Sequence, residues 1–165
     1  MTQTHLLTSI LLAATVISLG SCAKRGADDT VTAFYTEPDQ GSLSARECLM
    51  RAMYFESNRS SQEGLLAVGT VVMNRVESPD FPSSVCEVVG QHKQFAAGVL
   101  TREMRGNTEV IAKLAEAVLD GKRHPGVKQA KFFHMAGLRF PYKNMHYVLI
   151  AGGNAFYEKR KRRRR

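Results

Sequence analysis

Residues 47–75, ECLMRAMYFESNRSSQEGLLAVGTVVMNR, set one carboxylate, Glu56, between two stretches of helical period. Ahead of it, Ser44 and Glu47 stand in the S-x-x-E spacing that satisfies orphan amide donors at a helix start. Cys48, Leu49, Ala52 and Phe55 then recur at helical spacing. This predicts a helix beginning near Ala45 and ending at Glu56. The polar run Ser57-Asn58-Arg59-Ser60-Ser61 breaks the apolar pattern. Ser60 and Glu63 repeat the capping spacing before Leu65, Val68, Val72 and Val76, predicting a second helix. A carboxyl group at such a junction can be shielded by the second helix while still reaching a cleft. That setting raises a glutamate pKa toward that of a general acid. On spacing alone, the plainer reading of Glu56 is a solvated helix-end glutamate.

The wording of the chain goes further than its spacing. From Cys48 it runs in order through Tyr54-Phe55-Glu56, Gly64, Val68, Asn74-Arg75-Val76, Pro79, Phe81-Pro82, Cys86, Val88-Val89, Gln91 and Gln94-Phe95. It resumes more weakly at Phe133-His134 and Ala155-Phe156-Tyr157. This run resembles the SleB-type cell wall hydrolases and covers nearly all of residues 47–158. The resemblance implies a mainly α, α+β fold, a lysozyme-like helical domain with a small β-rich flap. It also implies cleavage of peptidoglycan glycan strands by lytic transglycosylation, with Glu56 on the family's catalytic glutamate and no cofactor.

Gln94 and Phe95 fall on a cleft-lining Gln-Phe pair, His134 on the family's Phe-His element and Tyr157 on its closing motif, so the resemblance marks all four as substrate contacts. A core role for Phe95 and a satisfied structural role for His134 are the alternatives. The chain also departs from its relatives. Pro141-Tyr142 stands where many have Pro and Trp two residues apart. Asn154 occupies the usual place of a histidine, and Ser57-Asn58-Arg59-Ser60-Ser61 replaces a common Ala-Arg-Gly-Glu-Pro. These changes bear on substrate subsites more than on chemistry.

Residues 1–21 hold an apolar run with no Lys, Arg, Asp or Glu before Lys24, too short to span a membrane, and read as a signal peptide. Leu19-Gly20-Ser21-Cys22 matches the bacterial lipobox, which makes Cys22 the expected lipidated residue and membrane anchor. A plain signal peptide with an incidental cysteine is the alternative, since only His5 stands where Lys or Arg is usual. Either reading exports the protein. Residues 22–42 then form a lipidated N-terminus and flexible tether, and 43–158 the catalytic domain. Residues 159–165, KRKRRRR, read as a basic disordered tail. The tail carries seven of the 23 Lys and Arg residues; without it 16 bases face 15 acids, and the net charge of +8 becomes +1. Such a block contacts anionic surfaces or merely solubilises a terminus, and export argues against nucleic acid.

With Cys22 set aside for lipid, Cys48 and Cys86 form an even pair in an oxidising compartment and are expected to be bridged. Two buried thiols that never meet are the alternative. No C-x-x-C or H-E-x-x-H spacing occurs, so a metal site is not expected and a zinc amidase is disfavoured. A hydrolytic muramidase, differing only in its use of water, stays open, as does a non-catalytic wall-binding lipoprotein. Further along, residues 77–82 form a Pro-punctuated loop, and Ser83 or Ser84 caps a short helix through Val89. Asn107-Thr108-Glu109 caps an amphipathic helix with Val110, Ile111, Leu114, Ala117 and Val118 on one face and Gly121 as its stop. Residues 130–135 and 145–150 read as strands, and Gly152-Gly153 turns the second onto Ala155-Phe156-Tyr157.

Overall fold

A computed structural model describes residues 42–160. The expected signal peptide, the lipidated Cys22 and the tether up to residue 41 lie outside the described residues, as do residues 161–165. The described chain forms helices α1 (Ala45–Glu56), α2 (Gln62–Val76), α3 (Val85–Gly90) and α4 (Glu109–Leu119), a 3-10 turn (Pro125–Val127), and strands β1 (Phe132–Met135), β2 (Met145–Ala151) and β3 (Asn154–Lys159). The fold is mainly α, α+β. Among the described residues no helix is long and apolar enough to cross a membrane.

The helix starts follow from side-chain caps. Ser44 Oγ accepts from the Glu47 amide at 3.1 Å, and Ser84 Oγ accepts from the Glu87 amide at 3.3 Å. At α2 the cap is Ser61, one residue beyond the expected Ser60, with Oγ accepting from the Gly64 amide at 3.0 Å. Ser60 is diverted because its amide and hydroxyl both donate to Asn58 Oδ1, a local turn that competes with helix initiation. In α4 the buried stripe is Ile111, Ala115 and Val118, whereas Val110 is 46% exposed. Ile111, Ala115 and Val118 are spaced at i, i+4 and i+7, and Val110 stands about 100° round the helix from Ile111.

The core lies among the helices, with Leu49, Met53, Leu65, Val68, Val72 and Val118 all fully buried. Cys48 in α1 and Cys86 in α3 are joined by a disulfide, with Cα atoms 5.2 Å apart. Asn74 and Arg75, near the end of α2, fasten the sheet to this body. Asn74 Nδ2 donates to the carbonyls of Lys128 and Ala130, both at 2.9 Å, and Arg75 Nε donates to that of Lys131 at 2.8 Å. The chain is thereby fixed where it enters β1.

The sheet is antiparallel in the order β1-β3-β2. Its hairpin closes through Gly152 and Gly153, both at positive φ (55° and 84°), the two-residue turn that glycine permits and that matches strand twist. β2 carries an irregularity between Tyr147 and Leu149 that leaves Val148 unpaired. Phe133, Leu149 and Phe156 lie on the face toward the core, while Phe132, His134, Tyr147 and Tyr157 share the opposite face. β3 runs one residue past the expected domain end, so Lys159, expected in the tail, is its last residue. The Lys159 ammonium sits 4.0 Å over the Phe132 ring, and the Arg160 amide bonds to the Asn144 carbonyl at 2.9 Å.

Reducing the Cys48–Cys86 bond frees a loop of 38 residues in the unfolded chain and is expected to cost about 2–4 kcal/mol. Urea denaturation with and without reductant measures this. Thiol counting on unfolded, unreduced protein exported to the periplasm should find neither cysteine reactive.

Candidate active site

Glu56 is the last residue of α1 and is half-buried. A helix end leaves its last carbonyls without intrahelical partners. Here the Asn154 side chain, itself buried, supplies one: its Nδ2 donates to the Glu56 carbonyl at 2.5 Å. Two residues on, the Asn58 amide donates to the Gly152 carbonyl at 3.0 Å. The hairpin tip therefore grips the turn that presents Glu56. Asn154, which by sequence bears on substrate subsites, sits behind the acid and holds its main chain.

The carboxyl group meets the segment between α3 and α4, where the Ala96 amide donates to Glu56 Oε1. Burial pushes the Glu56 pKa above its ordinary value of 4.5, while the Ala96 hydrogen bond and the Arg75 charge pull the other way without prevailing. Because Oε1 is engaged as an acceptor, Oε2 is the oxygen left to carry a proton when the group is protonated.

Arg75 is 3% exposed, and burial lowers its pKa to about 10, opposed by the fields of Tyr157 and Glu56. It remains a cation at neutral pH. Its guanidinium lies 5.1 Å from the Phe95 ring centroid and 5.2 Å from that of Phe81. Burial and the neighbouring Tyr147 raise the Tyr157 pKa, which keeps its hydroxyl protonated as a donor.

The residues marked by sequence fall into three settings. Phe95 is buried against Arg75 and Phe133. Gln94 is exposed in a turn, its amide donating to the Gln91 carbonyl at 3.1 Å. His134 and Tyr157 share the outer face of the sheet with ring centroids 5.7 Å apart. His134 Nδ1 faces the Met135 carbonyl at 2.8 Å and so donates to it, leaving Nε2 with the Tyr147 hydroxyl at 2.9 Å. Phe140 packs edge-on against His134 at 4.8 Å and stacks with Tyr142 at 6.2 Å. Between these rings and Lys159 lies an open hollow of about 400 Å³.

Sequence reasoning did not single out the roles of Arg75, Asn154 or the Ala96 amide. Arg75 had one available signal: a charged residue in the last turn of an otherwise apolar helix, which burial obliges to find partners. Among the described residues, no three His, Cys, Asp or Glu side chains group closely enough to hold a metal ion.

An α+β domain with a shielded carboxyl group at a helix end, its main chain held by the hairpin of a small sheet, is the class that fold and site define. A family model described as Cell Wall Hydrolase matches residues 59–157, more than half of the chain, and the chain belongs to that family. Glu56 lies three residues ahead of the matched span. Two solved structures are similar in fold. One is the catalytic domain of the germination-specific lytic transglycosylase SleB from Bacillus anthracis, at 24% identity and TM-score 0.56, covering 73% of this chain and 99% of that one. The other is the catalytic domain of the Bacillus cereus SleB protein, at 24% identity and TM-score 0.57, covering 73% and 94%. No curated protein matches.

Removing the Asn154 amide is expected to loosen the α1 end and cost about 1–3 kcal/mol, the range for a buried group left unsatisfied. Asn154→Asp should be worse than Asn154→Ala, because it sets an acceptor against the Glu56 carbonyl. Chemical denaturation of the two variants gives the order, and equal stability to wild type would remove this role.

Proposed function

We propose that this chain cleaves the glycan strands of peptidoglycan as a lytic transglycosylase, with Glu56 as its sole acid and base. The observation that carries the reading is the carboxyl group itself, raised in pKa by burial and held by a backbone amide. The description of the Bacillus anthracis neighbour as a lytic transglycosylase and the family membership support the same reaction. The charge that acts on Glu56 is a cation rather than a second carboxylate, as a one-carboxylate mechanism requires.

The protonated Oε2 of Glu56 gives its proton to the glycosidic oxygen as the bond from that oxygen to the anomeric carbon breaks. The resulting carboxylate then takes the proton of the muramic acid 6-hydroxyl while that oxygen bonds to the anomeric carbon. The product carries a 1,6-anhydro ring, and Glu56 is protonated again. The Ala96 amide and the Arg75 charge steady the carboxylate between the two steps. Tyr157 and His134, with the rings beside them, offer flat faces and hydroxyl partners to sugar rings, and exposed Gln94 is a further substrate contact. The finer placement rests on Leu19-Gly20-Ser21-Cys22: a lipidated Cys22 anchors the exported enzyme, and the basic tail contacts an anionic surface. Fatty-acid labelling of wild type that disappears in Cys22→Ala is the expected result for the anchor.

Glu56→Gln keeps the shape of the side chain but can neither donate nor accept the reacting proton. Its release of soluble muropeptides from sacculi should fall by about 10⁴-fold or more, because one group serves both steps and such catalysis contributes typically ~10²–10⁴-fold. Wild-type products should carry 1,6-anhydro ends by mass spectrometry; reducing ends would assign hydrolysis instead. Wild-type turnover should decline as pH rises through the raised Glu56 pKa, since the protonated acid begins the reaction. Stability follows the same sign. The folded protein holds this proton more tightly than the unfolded chain, so that contribution is complete below about pH 4 and lost as pH climbs through the raised value. Glu56→Gln should therefore gain stability relative to wild type between pH 4 and neutrality, measured by thermal melts across that interval.

A further inference from the structure

A second hollow, of about 620 Å³, adjoins the turn that carries Glu56: Phe55 and Ser57 both line it. Its character differs from that of the sheet face. Arg59, Arg102 and Arg105 surround it against one acid, Glu103. The Arg59 guanidinium lies 4.7 Å from the Tyr54 ring centroid and donates from Nη1 to the Tyr54 hydroxyl at 2.5 Å. Arg102 lies 4.4 Å over the Phe55 ring. Neither arginine has a carboxylate partner among the described residues. Arg105 pairs with Glu103 at 3.2 Å, but both side chains are more than 70% exposed, and such a pair exchanges readily with water or a ligand.

The floor of this hollow is fixed. The Tyr54 hydroxyl donates to the Arg105 carbonyl at 3.0 Å and accepts from the Arg105 amide at 2.9 Å as well as from Arg59. One buried phenol thus sets both the Arg59 side chain and the backbone at Arg105. Arg51 adds a tie, donating to the Arg102 carbonyl at 2.6 Å. A guanidinium held against an aromatic ring keeps N–H groups that the ring does not use, and these can bond a carboxylate.

We infer that this arginine-rimmed hollow is a carboxylate-binding subsite that takes the peptide stem of the peptidoglycan strand. The proposal rests on the glycan-cleaving reading above for its choice of substrate. The stem is where peptidoglycan carries carboxylates in number, and sugar hydroxyls alone give three arginines nothing to neutralise. The subsite would make the enzyme prefer strands whose muramic acid still bears its peptide.

The test uses binding rather than turnover, so that it stands apart from the catalytic assignment. The full chain carrying Glu56→Gln is titrated by calorimetry with a disaccharide-tetrapeptide and with the same disaccharide after amidase removal of its peptide and conversion of the lactyl carboxylate so exposed to its neutral amide. The peptide-bearing ligand should bind roughly three- to tenfold more tightly, as expected for two or more solvent-exposed ion pairs, and the advantage should shrink with added salt. Adding Arg59→Gln and Arg102→Gln should erase the advantage, while Lys113→Gln on α4 should leave it. Equal binding of the two ligands, or an advantage that survives the double arginine change, overturns the subsite. The first outcome needs no arginine variant, so a misfolded variant cannot shield the idea. If wild type cleaves no sacculi yet the peptide advantage is present, the catalytic reading fails and the subsite stands; intact cleavage without the advantage is the reverse.

Discussion

Backbone meets backbone where the first turn of α2 touches the tip of the β2–β3 hairpin, and the placement of Glu56 depends on that contact. A Cβ on Gly64 would lie 2.3 Å from the Gly152 Cα, and one on Gly152 would lie 2.6 Å from the Gly64 Cα. No side chain fits between them: beside the Ser57 hydroxyl, the opposing atoms include the main chain of the other glycine, which cannot swing aside. Only this approach brings the Gly152 carbonyl to the Asn58 amide and the Asn154 side chain to the Glu56 carbonyl. The sheet, far along the chain, therefore completes the end of the helix that bears the acid. Neither part positions Glu56 alone.

The electrostatics follow from the same packing. A carboxyl group shielded by protein resists ionisation, and on the proposed reading the same group must also serve as a base and cannot be held permanently neutral. Ala96 and Arg75 supply the counterweight. A buried cation is itself costly unless its donors are met and its charge is balanced. Arg75 meets part of that cost at the Lys131 carbonyl and against the rings of Phe81 and Phe95, leaving Nη1 without a hydrogen-bond partner within the protein. Phe95 is thus packed against the cation. Its burial and the tuning of Glu56 are two aspects of one arrangement.

Much of this was legible in the sequence where the cause is local. The start of α1 at Ala45 follows from Ser44 and Glu47, and the hairpin from two adjacent glycines, because caps and tight turns are decided within a few residues. The offset from Ser60 to Ser61 shows the limit even there, since Asn58 engages the Ser60 amide and hydroxyl in a turn of its own. What escaped was long-range. Asn154 stands 98 positions from Glu56, Lys131 stands 56 from Arg75, and Ala96 stands 40 from Glu56. No periodicity links such pairs; a family likeness can mark the positions without revealing what each side chain touches. Asn154 is the instructive case: its identity as a departure was plain, but only the fold puts it behind the acid instead of on the rim.

The hollow on the sheet face and the one beside the α1 end use aromatic rings in opposite ways. On the sheet, His134, Phe140, Tyr142 and Tyr157 leave ring faces and edges available, a surface suited to the apolar faces of sugar rings. Beside the α1 end, Tyr54 and Phe55 are capped by Arg59 and Arg102, so their faces are spent in orienting charge. On the proposed reading, a glycan strand presents both chemistries in alternation, neutral sugar along its axis and anionic peptide to one side. A protein that offers an aromatic surface and a cationic one to the same strand then favours a muramic acid, where the two chemistries coincide. Specificity for that bond would come from this juxtaposition and not from contacts to the reacting oxygen, which is common to every linkage in the strand.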